Sequence, residues 1–175
     1  MMIESRSNLS TRRNMLALLA AGAFAARTAW PQEKMEQKPA TNVNAHRTSI
    51  HYDLEFAATP VRFYSAILDQ KQFAAFSGMA AEIDPKPGGA FSMFGGLIVG
   101  RNVELIENQR IVQAWRPSAW PAGDYSIVHF ELKPHAAGCA LVFDHLGFAP
   151  GLYDHLSDGW KGHYWDPLKK YFASA

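Results

Sequence analysis

The last third of the chain changes its hydrophobic period, and that change limits the folds open to it. Leu152, Leu156, Trp160, Tyr164 and Leu168 recur every four residues, with His163 and Phe172 beside them, which predicts one long amphipathic helix. Pro167 falls inside this stretch, where it removes a backbone donor, so a kink is expected there. The segments before it read differently. Ala90–Phe94, Leu97–Ile106, Arg110–Arg116, Asp124–Lys133 and Cys139–Gly147 are strand-length runs separated by turn residues such as Asn108-Gln109 and Pro121-Ala122-Gly123. Strands joined by short turns form an antiparallel meander. A meander with one apolar face needs a cover, and a single long helix with one apolar stripe supplies it.

The start of this region completes the order. Thr48 to Phe56 places Ile50, Tyr52, Leu54 and Phe56 on one side and Ser49, His51, Asp53 and Glu55 on the other, the period-two pattern of a half-buried strand. Thr59-Pro60 then opens a helix to about Leu68, with Thr as cap and Pro at the first helical position. A second short helix spans Lys71 to Phe76, and Asp84-Pro85-Lys86-Pro87-Gly88-Gly89 is a turn. The expectation is an α+β domain over residues 47–175: a curved antiparallel sheet wrapped around a long C-terminal helix, with two short helices after the first strand.

The N-terminal residues read as a separate unit. Met15 to Ala26 is a 12-residue apolar run, shorter than the roughly 20 residues needed to span a bilayer as a helix. It fits the core of a signal peptide over residues 1–30, with Ala23-Phe24-Ala25 as a cleavage site. Arg12-Arg13 directly precede this run, as in twin-arginine export signals. Residues 31–46 are polar, contain Pro31 and Pro39, and read as a linker. The expected location is periplasmic or secreted, with no stable membrane span after processing. Translation starting at Met35 would instead leave the product in the cytoplasm.

Charge and cysteine content narrow the functions. Of 17 Lys+Arg and 16 Asp+Glu, the first thirty residues hold four arginines and one glutamate, so the remainder is slightly acidic. Without a basic run there is no electrostatic footprint for nucleic acid. Cys139 is the single cysteine, which excludes an internal disulfide and a thiol-based metal cluster. His155 with Asp158 and Asp154 with Asp158 have helical spacing on a face expected to meet solvent, and His46, His51, His129, His135 and His163 show no ligand motif. Neither a metal nor a cofactor is expected. Gly88-Gly89 and Gly95-Gly96 lack the Lys-Ser/Thr of a phosphate loop, and there is no G-x-S-x-G elbow.

Six short motifs, in order, resemble the START-like (SRPBCC, helix-grip) superfamily. They are Phe56-Ala57-Ala58-Thr59-Pro60, Pro87-Gly88-Gly89-Ala90-Phe91, the run Arg110 to Arg116, Phe130-Glu131-Leu132, Asp144-His145-Leu146-Gly147-Phe148, and Gly159-Trp160. Within that superfamily the chain is most similar to the bacterial branch related to the C-terminal domain of activators of the heat-shock-protein-90 ATPase. The resemblance covers Ser49 to Phe172 and implies a helix-grip fold with a cavity between sheet and helix. Members of the superfamily bind apolar small molecules there, some are enzymes, and others bind a chaperone, so fold alone does not fix function.

Candidate cavity residues are Met79, Phe91, Met93, Trp115, Tyr125, Phe143, His145 and Trp160, which offer large apolar area with a few polar handles. Each is equally at home in a packed core. Leu141, Phe143 and His145 share one strand face while Asp144 takes the other, so Asp144 and His145 cannot form a simple dyad. Three readings follow. The first is non-catalytic binding of an apolar or amphipathic small molecule. The second is a chaperone-ATPase-activator-like interaction domain, which export would argue against. The third is a cyclase or hydrolase using His145 with Glu104 or Glu131.

Overall fold

The computed structural model describes residues 42–136 and 138–174, so the expected leader and most of the expected linker lie outside the described residues. The chain runs β1 (Ser49–Phe56), α1 (Pro60–Leu68), α2 (Gln70–Ser77), β2 (Glu82–Ile83), β3 (Ala90–Met93), β4 (Ile98–Ile106), β5 (Arg110–Pro117), β6 (Ser126–His135) and β7 (Gly138–Leu146). A C-terminal helical segment follows, made of α3 (Tyr153–Trp160), a π turn (Lys161–Trp165) and α4 (Asp166–Ala173). The seven strands form one antiparallel sheet in the order β1-β7-β6-β5-β4-β3-β2. This is the α+β, helix-grip arrangement that the sequence predicts. Among the described residues, no helix is long and apolar enough to cross a membrane.

Local chemistry explains the element ends. The Thr59 side chain accepts from the Arg62 amide, and Pro60 occupies the first helical position, where its missing N–H costs nothing. Asp69 ends α1 and caps α2, accepting from the amides of Lys71 and Gln72. Along β6 the buried positions are Ser126, Val128, Phe130 and Leu132, and along β7 they are Cys139, Leu141, Phe143 and His145. This alternation gives the sheet one face toward the helix and one toward solvent. Gly100 is required by close approach: a Cβ there would lie 2.1 Å from the Ala114 carbonyl oxygen and 2.3 Å from the ring of Phe91, its cross-strand partner.

The helical segment departs from a regular helix in an informative way. On a 3.6-residue helix each step of four residues overshoots a full turn by roughly 40°, so a stripe from Leu152 to Phe172 would wander roughly 200° around the axis. The π turn takes up one extra residue and returns roughly half of that drift. Its position also suits Pro167, which cannot donate to the carbonyl four residues back and sits in the first turn of α4. The disturbance expected at the proline thus takes the form of a π turn just upstream. It lets the adjacent Tyr164 and Trp165 both be buried, at 4% and 3% exposure.

The centre of the layer between sheet and helix is solidly packed. Phe143 lies 4.5 Å from Trp160 and 4.9 Å from Trp165 between ring centroids, and Phe130 lies 5.2 Å from Phe143. Trp160 stacks on Trp165 at 5.4 Å. Such pairs add stability beyond the area they bury.

Candidate functional site

Space opens toward one end of this layer, where α3 and the π turn face β4 and the loop after β5. A cleft of about 330 Å³ lies there. Its inner wall is Trp115, Trp160 and Tyr164, and its outer wall includes Met79, Phe94 and Leu97. Leu97 is 59% exposed and Met79 39%, so apolar surface continues to the mouth. Phe94 has a left-handed backbone (φ 54°), unusual for an aromatic residue, and this directs its ring inward to within 5.1 Å of Phe73 and 5.2 Å of Tyr164. Gly159 also lines the cleft, and a Cβ built on it meets nothing within 4 Å.

Polar groups in this region are few. The Tyr164 hydroxyl donates to Met93 Sδ at 3.6 Å, and burial pushes its ionisation above the ordinary phenol range, an effect the neighbouring Trp115 slightly offsets. The Trp115 indole N–H, buried in the wall, has no hydrogen-bond partner of good geometry among the described residues. Ser118, His155 and His163 stand around the cleft.

His145 lies behind this wall, fully buried at 0% exposure. The Trp160 indole can only donate, and it donates to His145 Nδ1 at 2.9 Å. His145 Nδ1 is therefore the acceptor, and Nε2 carries the proton toward Ser126 Oγ at 2.7 Å. Ser126 Oγ in turn donates to the Trp115 carbonyl at 3.0 Å. The chain of bonds fixes one neutral tautomer, and burial lowers the imidazole from 6.5 to about 3.

The carboxylates considered with His145 lie on the other face of the sheet. Glu131 is bound by Arg110 Nε at 2.8 Å, which holds it below the usual carboxylate range, and Glu104 lies 3.5 Å from the same guanidinium. Asp144 also faces outward, between His51 at 2.7 Å and His129 at 3.7 Å, and its hydrogen bond raises the His51 imidazole. No pairing of His145 with Glu104 or Glu131 is assembled. Among the described residues, no group of three or more His, Cys, Asp or Glu could hold a metal ion.

The sequence candidates thus separate into three groups. Met79, Trp115 and Trp160 line the cleft. Phe91, Met93, Phe143 and His145 are buried in the core without lining it. Tyr125 precedes β6 and is 47% exposed, on a second hollow of about 530 Å³ bounded by the 120–125 loop and residues 147–152. Ser126 and Trp165 were not singled out from sequence, and Tyr164 was read there only as part of the apolar helix stripe. Ser126 had a signal, a small polar residue in register with the buried Val128 and Phe130. Trp165 had none, because its burial depends on the π turn.

Comparison with known proteins decides the family. Residues 57–173 match the model for Activator of Hsp90 ATPase homolog 1-like protein. The chain belongs to that family. Relatives of this Hsp90-activator-like domain include an uncharacterized protein of Schizosaccharomyces pombe, 32% identical over 131 residues, covering 75% of this chain and 38% of that protein. Another is the mouse activator of 90 kDa heat shock protein ATPase homolog 2, 27% identical over 139 residues, covering 79% of this chain and 42% of that protein. The chain thus spans less than half the length of these curated relatives. Among solved structures, an HSP90 activator from Plasmodium falciparum superimposes with a TM-score of 0.63 at 27% identity, covering 67% of this chain and 91% of that one. CalU16 from Micromonospora echinospora shares the fold, with a TM-score of 0.61 at 20% identity over 71% of this chain and 75% of that one.

Proposed function

We propose that this Hsp90-activator-like domain binds an apolar or amphipathic small molecule, without catalysis, and does so outside the cytoplasm. The observation that carries the reading is the cleft: about 330 Å³ with an aromatic inner wall and unfilled space over Gly159. That volume lies at the lower end of the range for small-molecule sites. His145 serves the site as a support that fixes Trp160, since both its ring nitrogens are engaged within the protein.

Native mass spectrometry of the protein purified from its own host tests this directly. The expected result is a retained small molecule on a chain processed near Ala25, and loss of that mass in a Gly159→Leu variant. A bare chain that also fails to take up an apolar dye would refute it.

The family match favours a second reading, contact with an Hsp90-type chaperone, to which the exposed Leu97 and Met79 would offer apolar contacts. Stimulation of the ATPase of the host's own Hsp90 by the purified protein would support it. A cleaved leader would oppose it, because an exported domain does not meet a cytoplasmic ATP-driven chaperone.

A further inference from the structure

The character of the cleft restricts its occupant further, granted the small-molecule reading above. Its volume is about twice the roughly 150 Å³ of an engineered cavity that takes one benzene, so the space suits about two aromatic rings. Trp115 and Trp160, tilted 30° to each other at 5.5 Å and almost fully buried, form an aromatic floor against which a ligand's rings would rest.

The rim gives the ligand a direction. His155 and His163 stand one helical turn to either side of Gly159, roughly 6 Å along the axis each way. The Phe94 ring lies 6.0 Å from the His163 ring in an edge contact. Among the described residues no carboxylate lines the cleft, and Asp158, beside Gly159, lies outside the lining. Imidazoles offer N–H donors, and an acidic group on the ligand would meet them without a competing negative charge.

Gly159 is the independent observation. A glycine inside a helix costs about 1 kcal/mol relative to alanine. Among the described residues, no other part of the protein comes within 4 Å of the position where its Cβ would be. Packing among the described residues therefore does not require the bare backbone, and unlike Gly162, which is equally open, Gly159 faces the cleft and leaves room there for a ligand group between the two histidines.

We propose that the cleft takes a flat aromatic acid of about two rings, its rings against Trp115 and Trp160 and its anionic group over Gly159 between His155 and His163. The test is calorimetric titration of the full chain with 2-naphthoate, 2-naphthylmethanol and 2-naphthylmethylammonium. The same titrations are made on a His155→Leu/His163→Leu double variant and on Gly159→Leu, with thermal melts to establish that each is folded.

The expected result is about tenfold tighter binding of the naphthoate than of the alcohol, with the ammonium weakest. The double variant should bind all three within about threefold of one another, and Gly159→Leu should bind none. Equal binding of the three probes by the wild type, abolished by Gly159→Leu, would overturn the acid preference and leave the small-molecule reading standing. A naphthoate preference that survives in the double variant would also overturn it. Failure of all three probes to bind the folded wild type would overturn both.

Discussion

Replacing His145 by Gln gives the sharpest test of the interior. Folded His145 is held neutral, with Nδ1 accepting from Trp160 and Nε2 donating to Ser126, and its pKa lies at about 3. In the unfolded chain the same imidazole titrates at about 6.5. Between these values the unfolded state binds the extra proton, so stability falls as pH falls through this window. One proton across one pH unit is worth about 1.4 kcal/mol, so by pH 4.5 the folded state has lost about 2–3 kcal/mol relative to pH 7. Set against a typical total of about 5–15 kcal/mol, that is a large fraction. Gln can accept from Trp160 and donate to Ser126 but does not titrate.

Urea unfolding of both proteins at pH 7.5 and pH 4.5 supplies the measurement, read as the difference between variants. Gln should be less stable at pH 7.5, because it loses ring contacts with Trp115 at 5.0 Å and Phe148 at 5.1 Å. That deficit should shrink by about 2–3 kcal/mol at pH 4.5. The raised pKa of His51 acts in the opposite sense, giving stability present at low pH and lost as pH rises, but it is common to both proteins and cancels. Parallel pH profiles would show that His145 takes up a proton in the folded state, and the tautomer argument would be wrong.

Two further substitutions probe the sheet. Gly100→Ala should cost about 2–3 kcal/mol in urea unfolding, because its Cβ would meet the Ala114 carbonyl and the Phe91 ring, and a cost under 0.5 kcal/mol would mean that the strands part easily. Asn102 is fully buried, donates to the Asp84 carbonyl at 2.9 Å and accepts from Gln113 at 3.0 Å; Asn102→Ala should cost about 2–3 kcal/mol, with faster amide exchange across residues 84–89 as its local signature.

The architecture was legible because it depends on periodicity and turn chemistry. Strand parity alone put His145 with Leu141 and Phe143 and set Asp144 on the far side, and the Thr59-Pro60 start of α1 lay within the sequence. The site was less legible, since His145 meets Ser126 and Trp160 across 19 and 15 residues, pairings fixed by sheet register and helix rotation. Tyr125 shows the limit well. One residue before the strand begins at the buried Ser126, it turns outward under Arg116 rather than into the layer. The π turn was hidden for a related reason: a strict four-residue stripe marks an amphipathic helix but does not say where the excess rotation is absorbed.

The position of β1 at the sheet edge has a kinetic consequence. Among the described residues its strand partner is β7, with His51 opposite Asp144, so the first strand of the sheet waits for the last. Closing so long a loop must precede the contacts that reward it, which makes this pairing slow to form compared with the β6–β7 hairpin. During synthesis on the ribosome, the domain cannot complete its sheet until residue 146 is available. Until then the apolar side of β1, with Ile50 and Phe56, is open to mispairing, and a chaperone that shields that strand during synthesis would raise the folded yield more than one acting on the finished protein.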